Sequence, residues 1–365
     1  MPNFSSARVK KITLTTLQIG ITLGVLWLVF HDKTKRDEML SALSKARGIW
    51  LLAGIAVYGV VEFLATIRWQ LLLRVQGIHI GWGRVLRLLM IGVFFNFFIP
   101  GGTGGDVVKT FYLIKESPGK IPQALLSVLV DRIIGLFSLI VLAGIFIGLR
   151  WGWLTTNPQT ANYVWTGLAI LGISFAAIAT SFFLTGFGLI HKLPKKMPGR
   201  DKLAEFALAY NLYAKAWRPV LIAFAMSILA HFGYFGIFYC AGRAIEGTGQ
   251  NIETIPTLTD LCAILPIVNT IVAMPISLGG LGVREKLFEV FLSNLCNVDR
   301  AIAVGISLTG YLFSLFWGLI GGVLYLFYRP STHTQLRVIN AEVAALEHSV
   351  AEQEIAAEIA HEKQR

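Results

Sequence analysis

Apolar residues along this chain are gathered into eight long runs, separated by shorter polar stretches. The runs cover residues 12–30, 49–67, 88–99, 121–149, 163–190, 219–241, 261–281 and 301–328. A helix needs about 20 apolar residues to cross a bilayer, and several runs reach that length. Two runs, 88–99 and 261–281, are too short or too interrupted to cross cleanly. The pattern predicts an all-α polytopic membrane protein rather than a soluble one.

Composition and charge agree with a membrane location. Hydrophobic residues make up 55% of the chain and charged residues 15%, and the net charge is +11. In a membrane protein, an excess of Lys and Arg is first explained by cytoplasmic loops and by contact with anionic lipid headgroups. We therefore expect membrane lipids as partners and no nucleic acid.

The Lys and Arg residues predict an orientation. They are concentrated in the N-terminus and in segments 68–87, 109–120 and 192–218, which we assign to the cytoplasm. Segments 150–162 and 244–260 carry few and are assigned to the outside. Loop 32–47 fits less well, because it must lie outside with five basic residues against three acidic ones. We expect a multi-pass protein of a prokaryotic cytoplasmic membrane, with both termini cytoplasmic and the first apolar run kept as an uncleaved signal anchor.

This orientation makes two segments enter and leave from one face. Residues 88–108 must return to the inside, and residues 258–295 must return to the outside. We therefore predict about eight embedded segments, namely six full crossings and two re-entrant hairpins of broken helices. The predicted crossings are 12–31, 48–67, 121–149, 163–190, 219–242 and 301–328. Full crossing by both hairpin segments is the alternative, and it would reverse the topology that follows.

Both predicted hairpins contain a glycine-rich break, IPGGTGGDVVK at 99–109 and MPISLGGLGVR at 274–284. Sliding the chain by 175 residues (284 − 109) superposes matching residue types: Pro100, Gly104, Gly105 and Lys109 fall on Pro275, Gly279, Gly280 and Arg284. The first half starts inside and the second outside. We therefore predict an inverted repeat, with halves 1–155 and 156–330. Inverted repeats with paired broken helices are typical of transporters, whose site lies where the breaks meet.

The half-helix after each break is suited to binding an anion. Glycine permits a tight reversal and proline ends a helix, so free N–H groups and the positive dipole end face the break. Lys109 and Arg284 lie about one turn further on, and Arg132 is a further basic candidate. The predicted phosphate site consists of these side chains and of backbone at four glycines: Gly104, Gly105, Gly279 and Gly280.

Other charged residues are candidates for coupling or for a structural role. Asp106 and Glu285 lie in the first turn after each break, where a carboxylate caps the helix or balances the nearby cation. Asp131 and Arg132 are embedded, and hence functional, if their helix begins near Ile121, and interfacial if it begins later.

Two further residues lie within predicted crossings. Glu62 is inside 48–67, and Arg68, near the end of that crossing, is long enough to reach the headgroups. His231, near the middle of 219–242, is either a packing residue or a proton relay.

We expect no catalytic set, no metal and no cofactor. The three cysteines, Cys240, Cys262 and Cys296, form no CxxC pair, so neither a disulfide framework nor a zinc site is indicated.

In the cytoplasmic tail 331–365, residues 339–362 have apolar positions at helical spacing with glutamates between them. This acidic amphipathic helix either binds a protein partner or a second copy, or is simply solvated.

Three motifs resemble a known family. FFNFFIPGGTGGDVVKTFYL (94–113), VLVDRIIGL (128–136) and MPISLGGLGVREKLF (274–288) are similar to the lysylphosphatidylglycerol synthase transmembrane, or flippase-like, family. The resemblance covers roughly 10–328. It implies a relative of the flippase half of the multiple peptide resistance factor, which moves aminoacylated phospholipid across the membrane. Some stand-alone relatives are linked to hopanoid or polyprenyl-glycolipid pathways. No aminoacyl-transferase domain follows within these residues, so we expect only the translocation role to carry over.

The predicted function is therefore translocation of an anionic, aminoacylated or polyprenyl-linked lipid. Two alternatives use the same architecture: transport of a small water-soluble anion, or a membrane enzyme acting on lipid phosphates. The enzyme would need a clustered acid–base or metal set, and no such signature is evident. A non-transporting scaffold is disfavoured, because buried charges are costly without a role.

Overall fold

The computed structural model describes residues 46–97, 104–186, 211–246, 255–274 and 282–328. Within these ranges residues 211–215 are helical, no strand is present, and ten complete helices are found. In chain order they are α1 (Gly48–Val75), α2 (Trp82–Phe95), α3 (Gly104–Glu116), α4 (Ile121–Leu149), α5 (Trp151–Leu154), α6 (Pro158–Gly186), α7 (Trp217–Ile245), α8 (Leu258–Val272), α9 (Val283–Cys296) and α10 (Arg300–Leu326).

Five helices, α1, α4, α6, α7 and α10, are long and apolar enough to cross a membrane. They coincide with five of the predicted crossings, which confirms a multi-pass all-α protein. The remaining predicted crossing, 12–31, lies outside the described residues, as does the predicted tail helix 339–362. The number of embedded segments thus stays a prediction.

Helix lengths follow the same order in both halves. Helices α1 to α4 have 28, 14, 13 and 29 residues, and α7 to α10 have 29, 15, 14 and 27. At 1.5 Å per residue, the short helices span only about 20 Å, less than the roughly 30 Å of a bilayer core. The series α1 to α4 and α7 to α10 therefore each consist of two long helices with a short pair between them, and α6 is a further long helix of the second half.

Helices α1 and α7 form the centre of the bundle and run antiparallel. The Arg47 amide donates to the Ala244 carbonyl at 2.8 Å at one end, and Arg68 donates to Ser227 at 2.9 Å towards the other. Helix α10 runs parallel to α1, with Trp317 Nε1 donating to the Ile55 carbonyl at 2.9 Å. Helix α4 runs parallel to α7, with Phe137 beside Phe224 and Phe146 beside Phe232, and is therefore antiparallel to α1. The direction of each long helix in the first half is thus opposite to that of its counterpart in the second.

The first short pair, α2 and α3, begins and ends at one end of the bundle. Arg84 at the start of α2 lies 3.4 Å from Glu116 at the end of α3, and Tyr328 donates to Glu116 at 2.7 Å. Nearby, Lys120 donates to the Gly77 carbonyl at 2.6 Å. We call this the Lys120 end. The two helices extend beyond the predicted hairpin 88–108 at both ends, where Arg84 contacts Glu116.

The second short pair, α8 and α9, begins and ends at the opposite end. Asp260 in the first turn of α8 accepts from Arg150, which follows α4, and Asn294 near the end of α9 donates to Gln159 at 3.4 Å. We call this the Arg150 end. Segments 68–87 and 109–120, which are rich in Lys and Arg, thus meet at the Lys120 end, whereas segment 150–162, which is poor in them, lies at the Arg150 end.

Candidate functional site

Five charged side chains from α1, α3 and α4 form what we call the first charge cluster: Arg68, Asp106, Lys109, Asp131 and Arg132. Arg68 binds Asp131 with two donors, Nε to Oδ1 at 2.8 Å and Nη2 to Oδ2 at 3.0 Å. Lys109 Nζ lies 3.0 Å from Asp106 Oδ1 and 3.5 Å from Asp131 Oδ2. Arg132 donates to Asp106 Oδ2. The cluster is a continuous ion-pair network across three helices.

Most of this cluster is withdrawn from the surface. Asp131 is 2% exposed and Lys109 is 5% exposed, and the Lys109 ammonium lies 4.7 Å from the ring centre of the buried Trp69. Helix α4 begins at Ile121, with Pro122 in its first turn, so Asp131 lies ten residues inside it. A helix start at Ile121 was the condition under which Asp131 would be embedded rather than interfacial. The Arg132 side chain differs in being 50% exposed.

Glu62 extends the first charge cluster along α1. Its side chain is buried, one turn along α1 from the buried Tyr58. It also interacts electrostatically with three cations of the cluster, Arg68, Lys109 and Arg132. Glu62 is thus the carboxylate that connects the cluster to the middle of the central helix pair.

A second charge cluster lies at the start of α9 and consists of Arg284 and Glu285 with Ser307. Arg284 donates from Nε to Ser307 Oγ at 3.1 Å and from Nη2 to Glu285 Oε1 at 3.2 Å. Glu285 also accepts from the Gly282 amide, so it caps α9 as its position predicts. The Arg284 guanidinium lies 4.8 Å from the Tyr311 ring centre and is only 5% exposed.

Two tyrosines on the central helices link the clusters. Tyr234 on α7 interacts electrostatically with Arg284, and Tyr58 on α1 interacts electrostatically with both Glu62 and Tyr234. A chain of polar side chains therefore runs from the first cluster through Glu62 and both tyrosines to Arg284. It lies along the interface between α1 and α7, and it connects the two short helix pairs.

The structure puts the predicted residues into three groups. Lys109 is the sixth residue of α3 and Arg284 the second residue of α9, and each is already paired with a carboxylate. Gly104 and Gly105 begin α3, where Gly105 donates its amide to Asn96 at 2.9 Å. Gly279 and Gly280 lie outside the described residues. A role in substrate binding remains a prediction for all of them.

Two residues differ from the simplest expectation. Arg68 does not extend to the headgroups but turns inward to Asp131 and Ser227, because these groups offer a partner in each of two neighbouring helices. His231 Nε2 lies 3.0 Å from the Gly135 carbonyl, and its ring stacks on Phe235. His231 thus makes the contacts of a packing residue.

Sequence reasoning missed Ser307 and the two linking tyrosines. The repeat offset held a signal for Ser307, because 132 + 175 = 307, so Ser307 occupies the place of Arg132 in the second half. Both residues contact the first-turn carboxylate of the neighbouring short helix. Tyr58 and Tyr234 have no such counterparts, so only their contacts in the structure show that they link the two clusters.

Among the described residues, no group of three or more His, Cys, Asp or Glu side chains is placed to hold a metal ion.

The fold and clusters define a multi-pass helical membrane protein with charged groups buried between long and broken helices. Residues 15–322 match the family described as the lysylphosphatidylglycerol synthase TM region. The match spans most of the chain, so the chain belongs to this family.

Three relatives share this similarity. A UPF0104 membrane protein of Pyrococcus horikoshii is 23% identical over 336 residues, covering 87% of this chain and 97% of the relative. A UPF0104 membrane protein of Methanothermobacter thermautotrophicus is 24% identical over 308 residues, covering 77% and 85%. Glycosyltransferase AglD of Haloferax volcanii is 23% identical over 384 residues, covering 92% of this chain and 58% of that protein.

Proposed function

We propose that this protein translocates a lipid with an anionic or phosphate-bearing headgroup, at a site between two broken-helix hairpins that enter the membrane from opposite sides. One observation carries the proposal. Lys109 and Arg284, which are 175 residues apart (284 − 109), are both buried near the start of a short helix that follows a break. Buried cations at helix N-termini attract anions, and paired breaks of this kind mark the site of many transporters.

The helix directions support an inverted repeat. Helix α1 runs opposite to α7, and α4 runs opposite to α10, as expected when the two halves are related by a two-fold axis in the membrane plane. The short pairs start at opposite ends of the bundle, so both hairpins reach towards the midplane. An anion bound at one hairpin would then have a matching site at the other.

The surroundings of Arg132 favour a lipid over a water-soluble anion. This half-exposed guanidinium lies beside α3, whose outer face carries the exposed apolar side chains Val107 and Phe111. On α4, the apolar Leu129 is also exposed, three residues before Arg132. A charged group next to exposed apolar side chains suits a ligand with a charged head and hydrocarbon chains.

Removal of either basic residue is expected to stop translocation. We would measure transbilayer movement of fluorescent phosphatidylglycerol in proteoliposomes that contain wild type, Lys109→Ala or Arg284→Ala. Arg284→Lys tests geometry, because lysine keeps the charge but loses the fork of donors to Ser307 and Glu285. The matched control is Lys286→Ala on the same helix, whose side chain is 57% exposed.

We expect near-complete loss of movement in the two alanine variants and wild-type rates in the control. Movement of a soluble organic phosphate but of no lipid would favour the water-soluble anion instead. Retention of lipid movement in both alanine variants, with folded protein, would contradict the proposed site.

The inverted arrangement predicts opposite exposure of the two hairpin starts. We would replace the three cysteines by serine and introduce Gly83→Cys and Thr259→Cys, at exposed positions in the first turns of α2 and α8. An impermeant maleimide added to whole cells should label Thr259→Cys, whereas Gly83→Cys should react only after permeabilisation. Labelling of both from one side would exclude the inverted repeat.

The relative named glycosyltransferase AglD supports a second candidate, a role in modifying a lipid-linked sugar. This chain matches 58% of that protein, so the transferase activity of that relative need not reside in the shared part. Incubation of the proteoliposomes with a polyprenyl-phosphate sugar, followed by chromatography of the lipids, separates the candidates. A modified lipid would favour the enzyme, and a relocated but unchanged lipid would favour the translocase.

A further inference from the structure

We infer that Glu62 is a proton-binding site and that it takes up a proton when an anionic headgroup binds at the first charge cluster. The inference rests on the proposed function and names the ion coupled to it. It follows from the charge balance of the buried groups around Glu62.

The first charge cluster and Glu62 together hold equal numbers of cations and carboxylates. The cations are Arg68, Lys109 and Arg132, and the carboxylates are Asp106, Asp131 and Glu62. With all six ionised, their charges sum to zero. An incoming anion would leave one net negative charge in a region of low dielectric, where unbalanced charge is costly. Protonation of one carboxylate removes this cost.

Glu62 is the carboxylate best placed to accept that proton. Asp131 receives two hydrogen bonds from Arg68 and a further contact from Lys109, so neutralising it would leave a buried guanidinium without its partner. Asp106 is held in the same way by Lys109 and Arg132. Glu62 instead is buried on α1 one turn from Tyr58, whose neutral hydroxyl can donate to a carboxylate or accept from a carboxylic acid.

The elements packed against α1 supply the remaining polar groups. From α7, Tyr234 interacts with Tyr58, and His231 faces the Gly135 carbonyl. From α10, Tyr311 lies against Arg284 and Trp317 bonds to the Ile55 carbonyl. The described titratable residues of α2, Arg84 and Arg87, lie at the Lys120 end of that helix. Glu62 is therefore the acidic group at the junction of the first cluster and the tyrosine chain.

Charge balance also fixes the direction of coupling. Binding of the anion favours protonated Glu62, and by linkage protonated Glu62 favours binding of the anion. The proton and the headgroup should therefore cross together in the same direction. With one proton per monoanionic lipid, a gradient of one pH unit corresponds to about 1.36 kcal/mol, or about a tenfold transbilayer ratio of the lipid.

The experiment measures that ratio in proteoliposomes with fluorescent phosphatidylglycerol, with and without a gradient of one pH unit. Wild type should concentrate the lipid about tenfold in the leaflet on the alkaline side. Glu62→Gln keeps the shape but cannot bind the proton, so it should equilibrate the lipid to equal amounts regardless of the gradient. The control is Glu289→Gln on α9, a carboxylate that pairs with the exposed Lys286 at 3.1 Å.

A second measurement needs no variant and so does not depend on folding of Glu62→Gln. A pH dye inside the vesicles should report acidification when phosphatidylglycerol moves inward, and no change with phosphatidylcholine of the same chains. Equal lipid distribution by wild type despite the gradient, with no dye response, would overturn the inference and leave translocation intact. Absence of any lipid movement by wild type would instead overturn the proposed function.

Discussion

Replacement of Gly105 by alanine will abolish lipid translocation and will lower the thermal stability of the protein. A Cβ at this position would lie 2.0 Å from the Gly92 carbonyl oxygen and 2.6 Å from Asn96 Oδ1. The carbonyl belongs to the backbone of α2 and cannot rotate away, so α2 and α3 must separate. Separation breaks the hydrogen bond from the Gly105 amide to Asn96 and draws Lys109 away from Asp131 on α4. A single methyl group thereby disturbs both the hairpin and the first charge cluster.

Gly144→Ala is the matched control for this substitution. Gly144 lies in α4, and a Cβ there meets nothing within 4 Å. Alanine is also the better helix former by about 1 kcal/mol in soluble hosts. We expect wild-type transport and an equal or higher midpoint of thermal unfolding, measured by size-exclusion chromatography of heated samples in detergent. Wild-type transport by Gly105→Ala would show that close contact of α2 and α3 is not required.

Replacement of Asp131 by alanine will cost the protein most of its stability. The change removes the carboxylate that accepts two hydrogen bonds from Arg68, and it leaves Asp106 as the ion-pair partner of Lys109. These charges lie inside the helix bundle. Removal of one partner from a buried ion pair costs about 3–5 kcal/mol in soluble proteins, because the other charge stays buried. We expect little folded protein after mild heating in detergent.

The double variant Asp131→Ala/Arg68→Met tests this explanation. It removes both charges and retains an apolar side chain at position 68. If the unpaired Arg68 charge causes the instability of Asp131→Ala, the double variant should recover part of the lost stability. Glu289→Gln serves again as the control, since an exposed pair is worth at most about 1 kcal/mol. Equal instability of the single and double variants would show that packing around Asp131, rather than its charge, is essential.

The long helices were predictable from the sequence because their signal is continuous. Residues 121–149 form an apolar run that Asp131 and Arg132 barely interrupt, and α4 has the same bounds. The first hairpin was harder to delimit. Arg84 and Lys115 look like loop residues in a linear pattern, yet both lie in helices. The contact of Arg84 with Glu116 joins residues 32 apart in sequence, and no local pattern contains it.

The candidate site was predictable only in part, for the same reason. The repeat offset identified Lys109 and Arg284, because residue types recur at a fixed spacing. It contained no information that both would be paired with carboxylates. The inward turn of Arg68 depends on Asp131 and Ser227, which are 63 and 159 residues away in sequence. Partners at such separations are fixed by the packing of α1 against α4 and α7.

The equal number of cations and carboxylates around Glu62 also determines how the protein would respond to membrane voltage. A potential does work of about 2.3 kcal/mol on each elementary charge moved through 100 mV. A bare anionic headgroup would feel the whole of this work, and a negative interior would oppose its inward movement. A headgroup accompanied by one proton carries no net charge, so the six side chains are neutral before binding, and the side chains and headgroup together are neutral after it. Such a protein would work equally well in energised and in depolarised membranes, as long as the two sides differ in acidity.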